Sequence, residues 1–482
     1  MQYLSPFGLF LFCLAVTLCG SAQDMPTEIS LPQLQQQAAD AAVEVLTARR
    51  DFETARLDQS AFAARLKPRL DLLANLPNYF RTSTEVVLDN GEVAFRRIEQ
   101  NNSFVGLQAT QRIAATGGTV SLQTRLQRTD NFAGDSKSYN GAPVRLFYQQ
   151  PVFAFNPLKW DRELLPLQTV AAERAYAAAR AEARLSATAR FFDLVSADQE
   201  RRIAETNRAA NETLFAIAQE RFELGKINRG DLVQLELELT SAQQNLLRAE
   251  RLVRMASAAI YQLLGTSYDD TLLVPALPTA QTTAFVIEPA LALQRLRAQR
   301  PELLAARLRV REAEREAERV RKELGPRLDL QAGFGLVRGA AEIAPIYTDP
   351  QSELIVSLNV SVPILDWGER KALTERARLD SRLAGAIEQR TATNLETELL
   401  QLLQQWPLVR QELALSTRIR DLANERFRIS QESYQLGAIP LTELTLAQQF
   451  RDQNTRRYAD SLRAYWLTYI GIERLIGELP PG

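Results

Sequence analysis

FRISQESYQLGAI at 427–439 lies over FAIAQERFELGKI at 215–227, with seven of the thirteen positions identical. The offset between the two is 212, and it persists far from the motif: Gly477 lies over Gly265 and Pro363 over Pro151. Each copy reads as a helix that stops at a Leu-Gly pair, Leu224-Gly225 or Leu436-Gly437, and at once resumes as a second helix. Gly225 and Gly437 suit the left-handed residue that closes a helix, where a Cβ would clash. Signals for a new helix follow: Asn228 with Asp231 three residues on in one half, Pro440 in the other. A repeat this long, built from helix–turn–helix units, makes the chain a tandem duplication to be read as two halves.

Composition removes several classes of function. Lys plus Arg is 57 and Asp plus Glu is 58, so no net positive charge points to nucleic acid. There is no His, and both cysteines, Cys13 and Cys19, fall in the first twenty residues. Past them nothing can supply a thiol nucleophile, a disulfide, a haem ligand or a His/Cys metal site. A serine or carboxylate enzyme would lack the usual general base. Neither an enzyme nor a cofactor is expected. Residues 1–22 read as a secretory signal, with an apolar stretch from Phe7 to Cys19 and Gly20-Ser21-Ala22 as the cleavage site. That stretch is too short to span a bilayer. Neither cysteine follows the small residue of a lipoprotein signal, so no lipid anchor is expected. Beyond residue 22 no apolar run reaches the roughly 18 residues of a spanning helix, so entry into a bilayer would have to be by strands.

Residues 29–67, rich in Ala, Gln and Arg without Gly, predict one helix ending at Pro68. PRLDL at 68–72 recurs letter for letter at 326–330, each time closing a charged helix. After Pro326 the period changes from 3.6 to 2: Leu328, Leu330, Ala332, Phe334 and Leu336 alternate with Asp329, Gln331, Gly333 and Gly335. The return segment places Leu354, Val356, Leu358, Val360 and Val362 on one face, with Ser357, Asn359 and Ser361 on the other. Strands of about ten residues with one apolar and one polar face are the pattern of a transmembrane β-barrel. In the first half 83 positions separate Pro68 from Pro151, against 37 between Pro326 and Pro363. The extra 46 residues hold two further alternating runs, Phe104–Ile113 and Thr119–Leu126, joined by a turn at Thr116-Gly117-Gly118. The polar stretches beside them, 78–102 and 129–142, are predicted to be loops.

Long helices follow each β segment, over about 160–224 and 367–436, each spanning on the order of 100 Å. Pro407 is expected to kink or end the second. After Gly230 the residues Leu232, Leu235, Leu239, Ala242, Leu246, Ala249, Val253, Ala256, Ile260 and Leu263 step by three and four, a coiled-coil seam. The run 307–323 alternates in charge and reads as a solvated helix face. The predicted organisation is therefore a signal (1–22), then a first repeat (23–265: helix, β segment 68–153, helix pair 157–265). A connector (266–289) leads to a second repeat (290–482: helix, hairpin 326–364, helix pair 366–478). The fold class is mainly α with β: tandem-duplicated long coiled-coil helices forming a second, water-soluble tube beneath a shared transmembrane β-barrel. Sharing follows because one chain offers four to six strands while membrane barrels close at eight or more, and open edges are not tolerated in lipid.

On the duplication, the Pro-Arg-Leu switches, the strand ends QQPVF (149–153) and VSVPILDWG (360–368), and the two Leu-Gly turns, the chain resembles the TolC-type outer-membrane factors over 29–478. The resemblance implies a homotrimer in the outer membrane of a Gram-negative-type cell: a β-barrel of twelve strands, four from each copy, continuous with a long coiled-coil periplasmic α-barrel. It implies an exit duct for a tripartite efflux pump or type I secretion system. The implied partners are a periplasmic membrane-fusion adaptor, an inner-membrane transporter of RND, ABC or MFS type, and outer-membrane lipid, with no nucleic acid. The turns at Leu224, Gly225, Lys226 and Leu436, Gly437, Ala438 would meet the adaptor at the periplasmic tip. Pro68, Pro151, Pro326 and Pro363 would mark the switches between helix and strand. Family members carry acidic residues six and nine positions after the second turn's Gly, constricting the entrance. Here these are Glu443 and the non-acidic Leu446, with Asp231 matching Glu443 in the first half. Rings of like charge repel, so closure needs a bound cation, a proton, or donors such as Lys226 or Arg229. Asp231 could equally serve only to cap its helix. The extra segment is expected to extend the barrel, with Gly117-Gly118 as a periplasmic turn, since short turns face the periplasm. A periplasmic coiled-coil scaffold or adaptor is the alternative; it explains the helices and not the amphipathic strands.

Overall fold

A computed structural model of the chain describes residues 28–87, 91–268, 270–278, 288–436 and 438–477. The signal segment, part of the connector and Gly437 lie outside the described residues. The first elements are β1 (Glu28–Ser30), α1 (Leu31–Ala41) and α2 (Val43–Arg65). Five strands follow: β2 (Arg69–Asn75), β3 (Tyr79–Val87), β4 (Val93–Arg112), β5 (Thr119–Asn131) and β6 (Ser136–Val152). Helices α3 (Pro157–Glu223) and α4 (Arg229–Leu264) complete the first half. The second half runs β7 (Val274–Ala276), α5 (Pro289–Gln299), α6 (Pro301–Glu323), β8 (Arg327–Ala340), α7 (Ala344–Thr348), β9 (Gln351–Ser361), α8 (Glu369–Gln435) and α9 (Leu441–Ile476). No helix among the described residues is long and apolar enough to cross a membrane.

The chain divides into two compact units. One comprises 28–33, 190–262 and 266–278. In it β1 pairs in parallel with β7, placing Ile29 opposite Pro275, a pairing the connector's Pro- and Thr-bearing sequence did not announce. The stripe along α4 is its packing face: Leu235, Ala242, Ala249, Val253 and Ile260 are buried, and the members between them half-buried. A seam of alternating three- and four-residue steps keeps one side of a helix against its neighbour.

The other unit comprises 34–189, 263–265 and 288–477. The single helix expected over 29–67 is in fact two, broken at Ala42, whose backbone is extended (φ −60°, ψ 139°). The matching break in the second half is at Arg300 (φ −69°, ψ 123°), displaced by the same 258 positions that separate the two PRLDL copies. There Pro301 forces the preceding residue out of the helical region. Val43 stands in its place in the first half, so the same bend goes unmarked. Conversely, α8 runs on through Pro407 without ending, as α3 does through Pro166. The charged run of α6 is more than a solvated face. Arg311 and Arg315 reach Glu163 and Asp161 of α3 at 3.0 and 3.1 Å, beside a small apolar core of Trp160, Leu164 and Leu308.

Seven strands of this unit form one antiparallel sheet in the order β2-β4-β5-β6-β8-β9, with β3 also on β4. Residues 104–110 of β4 oppose β2 and 93–101 oppose β3, so the seven strands occupy six lanes. The stretches 78–102 and 129–142, expected as loops, are largely strand: β3, the first half of β4, the end of β5 and the start of β6. They carry no apolar face for periodicity to reveal. Polar partners fill in instead, with the Tyr79 hydroxyl donating to Glu99 at 2.7 Å and Arg128 paired to Asp130 at 2.8 Å. Backbone ladders satisfy their own polar groups whatever the side chains are.

Candidate functional site

Registers across the six lanes sort side chains onto two faces. Leu146 of β6 stands opposite Phe334 of β8 and Leu122 of β5, and Phe334 stands opposite Leu354 of β9. Ala109 of β4 faces Leu122 on one side and Leu70 of β2 on the other. This apolar row crosses all six lanes, and most of its large members are exposed, Leu354 at 73% and Leu70 at 69%. One residue along, the row is Asp71, Gln108, Gln123, Arg145, Gly335 and Glu353. Exposed apolar rows cannot stay in water over such an area, and the alternation is that of a barrel with lipid outside and an aqueous lumen inside. Arg145 forms an ion pair with Glu353 on the polar face. Gly335 is required beside it: a Cβ there would lie 2.4 Å from Arg145 Cγ and 2.9 Å from the Val144 carbonyl oxygen. At Gly333 the neighbour is the Phe147 ring, 2.8 Å away. The soluble-scaffold alternative has no account of this sheet.

The four prolines lie at the changes of element. Pro68 falls between α2 and β2, and Pro326 between α6 and β8. Pro151 is still within β6, opposite Asp329, six residues before α3 begins; Pro363 follows the end of β9 by two. At this level the turn 113–118 is tied down. Asn156 donates through Nδ2 to the Ala114 carbonyl at 2.8 Å, and Gln150 through Nε2 to that of Thr116 at 2.9 Å. Gly117 takes φ +77° in that turn. Neither Asn156 nor Gln150 stood out in the sequence, because nothing local says which loop a side chain will reach. Just beyond, the Trp160 indole donates to Glu318 at 3.0 Å, and Lys322 pairs with the same carboxylate at 2.7 Å. The Lys322 bond holds the Glu318 carboxyl below its ordinary value, against the opposing effect of partial burial.

At the first helix turn, Gly225 has φ +64° and its N–H bonds the Phe222 carbonyl at 2.9 Å. The Lys226 N–H bonds the Arg221 carbonyl at 2.8 Å, completing a Schellman closure. The second turn repeats the long bond, Ala438 N–H to the Ser433 carbonyl at 2.9 Å. Beside the turns Leu224 is 68% and Leu436 85% exposed. Asp231 and Glu443 each occupy the first turn of the following helix, where the dipole favours a carboxylate. The cap of α4 is Asn228, whose Oδ1 accepts from the Asp231 N–H at 2.9 Å. Asp231's own carboxylate, like that of Glu443, bonds nothing among the described residues. Nor do the Lys226 and Arg229 side chains form an ion pair among the described residues of a single copy.

Long helices closed by tight Leu-Gly turns, together with an amphipathic, open-edged sheet, are the parts of an outer-membrane channel subunit. The outer membrane efflux protein family matches residues 97–266 and 292–478, one block in each half, and the chain belongs to that family. Its fold is shared with the CmeC outer membrane channel of Campylobacter jejuni, at 16% identity over 93% of this chain and 85% of that one, TM-score 0.68. It is shared likewise with the outer-membrane channel OprN (16% identity, 94% and 90% covered, TM-score 0.67). VceC of Vibrio cholerae is a third (16% identity, 93% and 96% covered, TM-score 0.60). No curated protein matches the sequence. The chain is an outer-membrane efflux duct, with lipid against the apolar face of its sheet.

Proposed function

We propose that three copies assemble into the exit duct of a tripartite efflux pump or type I secretion system. The observation that carries this reading is the pair of open sheet edges: among the described residues β2 is bonded only to β4, and β9 only to β8. Lipid does not tolerate unpaired backbone, so each β9 edge must meet the β2 edge of another copy until the ring closes. The chain enters the sheet on β2 and leaves on β9 in opposite directions, so that junction is antiparallel like the rest.

The exposed Leu224 and Leu436 beside the two turns are suited to the adaptor's contact, and with Gly225, Lys226, Gly437 and Ala438 they form the docking tip. An inner-membrane transporter of RND, ABC or MFS type would feed the duct through that adaptor. Glu443 and Asp231 constrict the entrance, held by Lys226 and Arg229 of neighbouring copies. Exposed pairs of this kind contribute about 0–1 kcal/mol each, so an adaptor with a modest preference for the open tip can release them. The test is single-channel conductance in planar bilayers. Glu443→Ala combined with Arg229→Ser should raise conductance; an unchanged, low-conductance pore would place the constriction elsewhere.

A further inference from the structure

We infer that each copy contributes six membrane strands rather than four, so that the trimeric exit closes as an eighteen-stranded barrel passing solutes about 20 Å across. The inference rests on the trimeric exit-duct reading above. Three observations carry it. First, β4 and β5 are inserted into the sheet path: β2 is bonded to β4 and β6 to β5, and β2 has no bond to β6. Removing the added hairpin from the barrel would leave β2 and β6 with broken ladders. Second, the added lanes carry the same two faces as the others. Leu107 and Leu122 lie in the apolar rows, exposed at 44% and 49%, while Gln108 and Gln123 oppose each other on the polar face. A hairpin folded above or inside the barrel would have no use for a lipid-facing row. Third, the added hairpin is full height. Its turn is held at the strand-to-helix junction by Asn156 and Gln150, level with the start of α3.

Width follows from strand number. With neighbouring strands about 4.8 Å apart and tilted by about 40°, eighteen close a ring roughly 36 Å across between backbones, and twelve roughly 24 Å. Side chains on the polar face narrow both by about 10 Å, leaving the smaller ring for small molecules and the larger for solutes about 20 Å wide. The outer barrel is then no size filter, and selection falls to the periplasmic tip.

Two experiments test it on the full chain. Past Cys19 there is no thiol, so single introduced cysteines report alone. In membranes, Leu107→Cys and Leu122→Cys should behave like the controls Leu146→Cys and Leu358→Cys, reacting with a lipid-partitioning maleimide and resisting a charged one. Gln108→Cys and Gln123→Cys should show the reverse. Reaction of Leu107→Cys and Leu122→Cys with the charged reagent while the controls resist overturns the inference. Reaction of the controls as well overturns the membrane-barrel reading beneath it. The second experiment counts strands by electron microscopy of the detergent-purified assembly and probes width with neutral polymers about 20 Å across, added from outside. Eighteen strands are expected, with polymer entry that is lost in a chain lacking residues 93–131. Twelve strands, or equal exclusion by both chains, overturns the inference. An assembly of other than three copies overturns the trimer while leaving the six-strand labelling pattern to be judged by itself.

Discussion

Arg184 of α3 and Glu473 near the end of α9, 289 positions apart, are joined at 2.6 Å. The pair belongs to a cross-half clamp. Arg474 reaches Glu182 at 3.0 Å, and the Thr188 hydroxyl, fully buried, donates to the Arg184 carbonyl while accepting from Gln35 of α1. Glu473 is mostly shielded and Arg184 about a third exposed, so the contact is stronger than a surface pair. Glu473→Ala should destabilise the fold by about 1–3 kcal/mol. The melting temperature in detergent reads this out, and an unaltered melt would mean the clamp carries no stability.

Gly225 offers a separation of strain from crowding. Its φ is +64°, and a Cβ would meet nothing within 4 Å. Gly225→Val should therefore cost about 1–2 kcal/mol from backbone strain alone, and Gly225→Asn much less, since Asn tolerates the left-handed region. Export assays with hydrogen exchange at the turn would detect it. Equal defects in both variants would point to lost contact with the adaptor instead.

Gly335 is the opposite case, with ordinary backbone and no room. Gly335→Leu must displace Arg145, which is held by Glu353. Assembled, heat-resistant oligomer in the outer membrane should fall sharply, and Gly339→Leu, where the nearest neighbour is 3.9 Å away, should be tolerated. Normal assembly of the Gly335 variant would show that the strands can part here.

Acid sensitivity should trace in part to Glu318. Its folded-state carboxyl titrates below the unfolded one because Lys322 bonds the charged form, with Trp160 adding to this. The stabilisation is thus complete above the unfolded value and is lost as pH falls through the folded value. The Glu318 side chain is about a quarter exposed and its partner Lys322 about a third, so solvent screening keeps the effect small. Glu318→Gln should flatten the acid limb of a melting-temperature profile and blue-shift or quench Trp160 fluorescence differently from wild type at neutral pH. A profile superimposable on wild type at every pH would remove Glu318 from the account.

Much of this is legible in the sequence itself. The Leu-Gly turns declare themselves because a helix closing on a left-handed residue restricts what stands there, and 328–336 because lipid on one side and water on the other impose alternation. The bend at Arg300 is written in Pro301, whereas its twin at Ala42 is written nowhere locally; Val43 merely occupies a conformation that surrounding packing selects. Strands β3 and the first half of β4 escaped for a related reason. Pairing, not burial, holds them, and pairing leaves little mark on composition. At the first helix turn, Asn228 rather than Asp231 is the cap, a distinction between two plausible oxygens that depends on about an ångström of geometry.

The two open edges, β2 and β9, also make time and concentration part of folding. Until partners arrive, each copy carries two unsatisfied ladders beside exposed leucines, the combination that recruits wrong neighbours as readily as right ones. Ring closure depends on encounters among three copies, so its rate climbs much faster than linearly with supply, while losses to mispairing start with the second copy. Scarce synthesis therefore leaves orphans waiting in the periplasm for escort or degradation, and the yield of ducts should respond to expression level as a threshold and not in proportion.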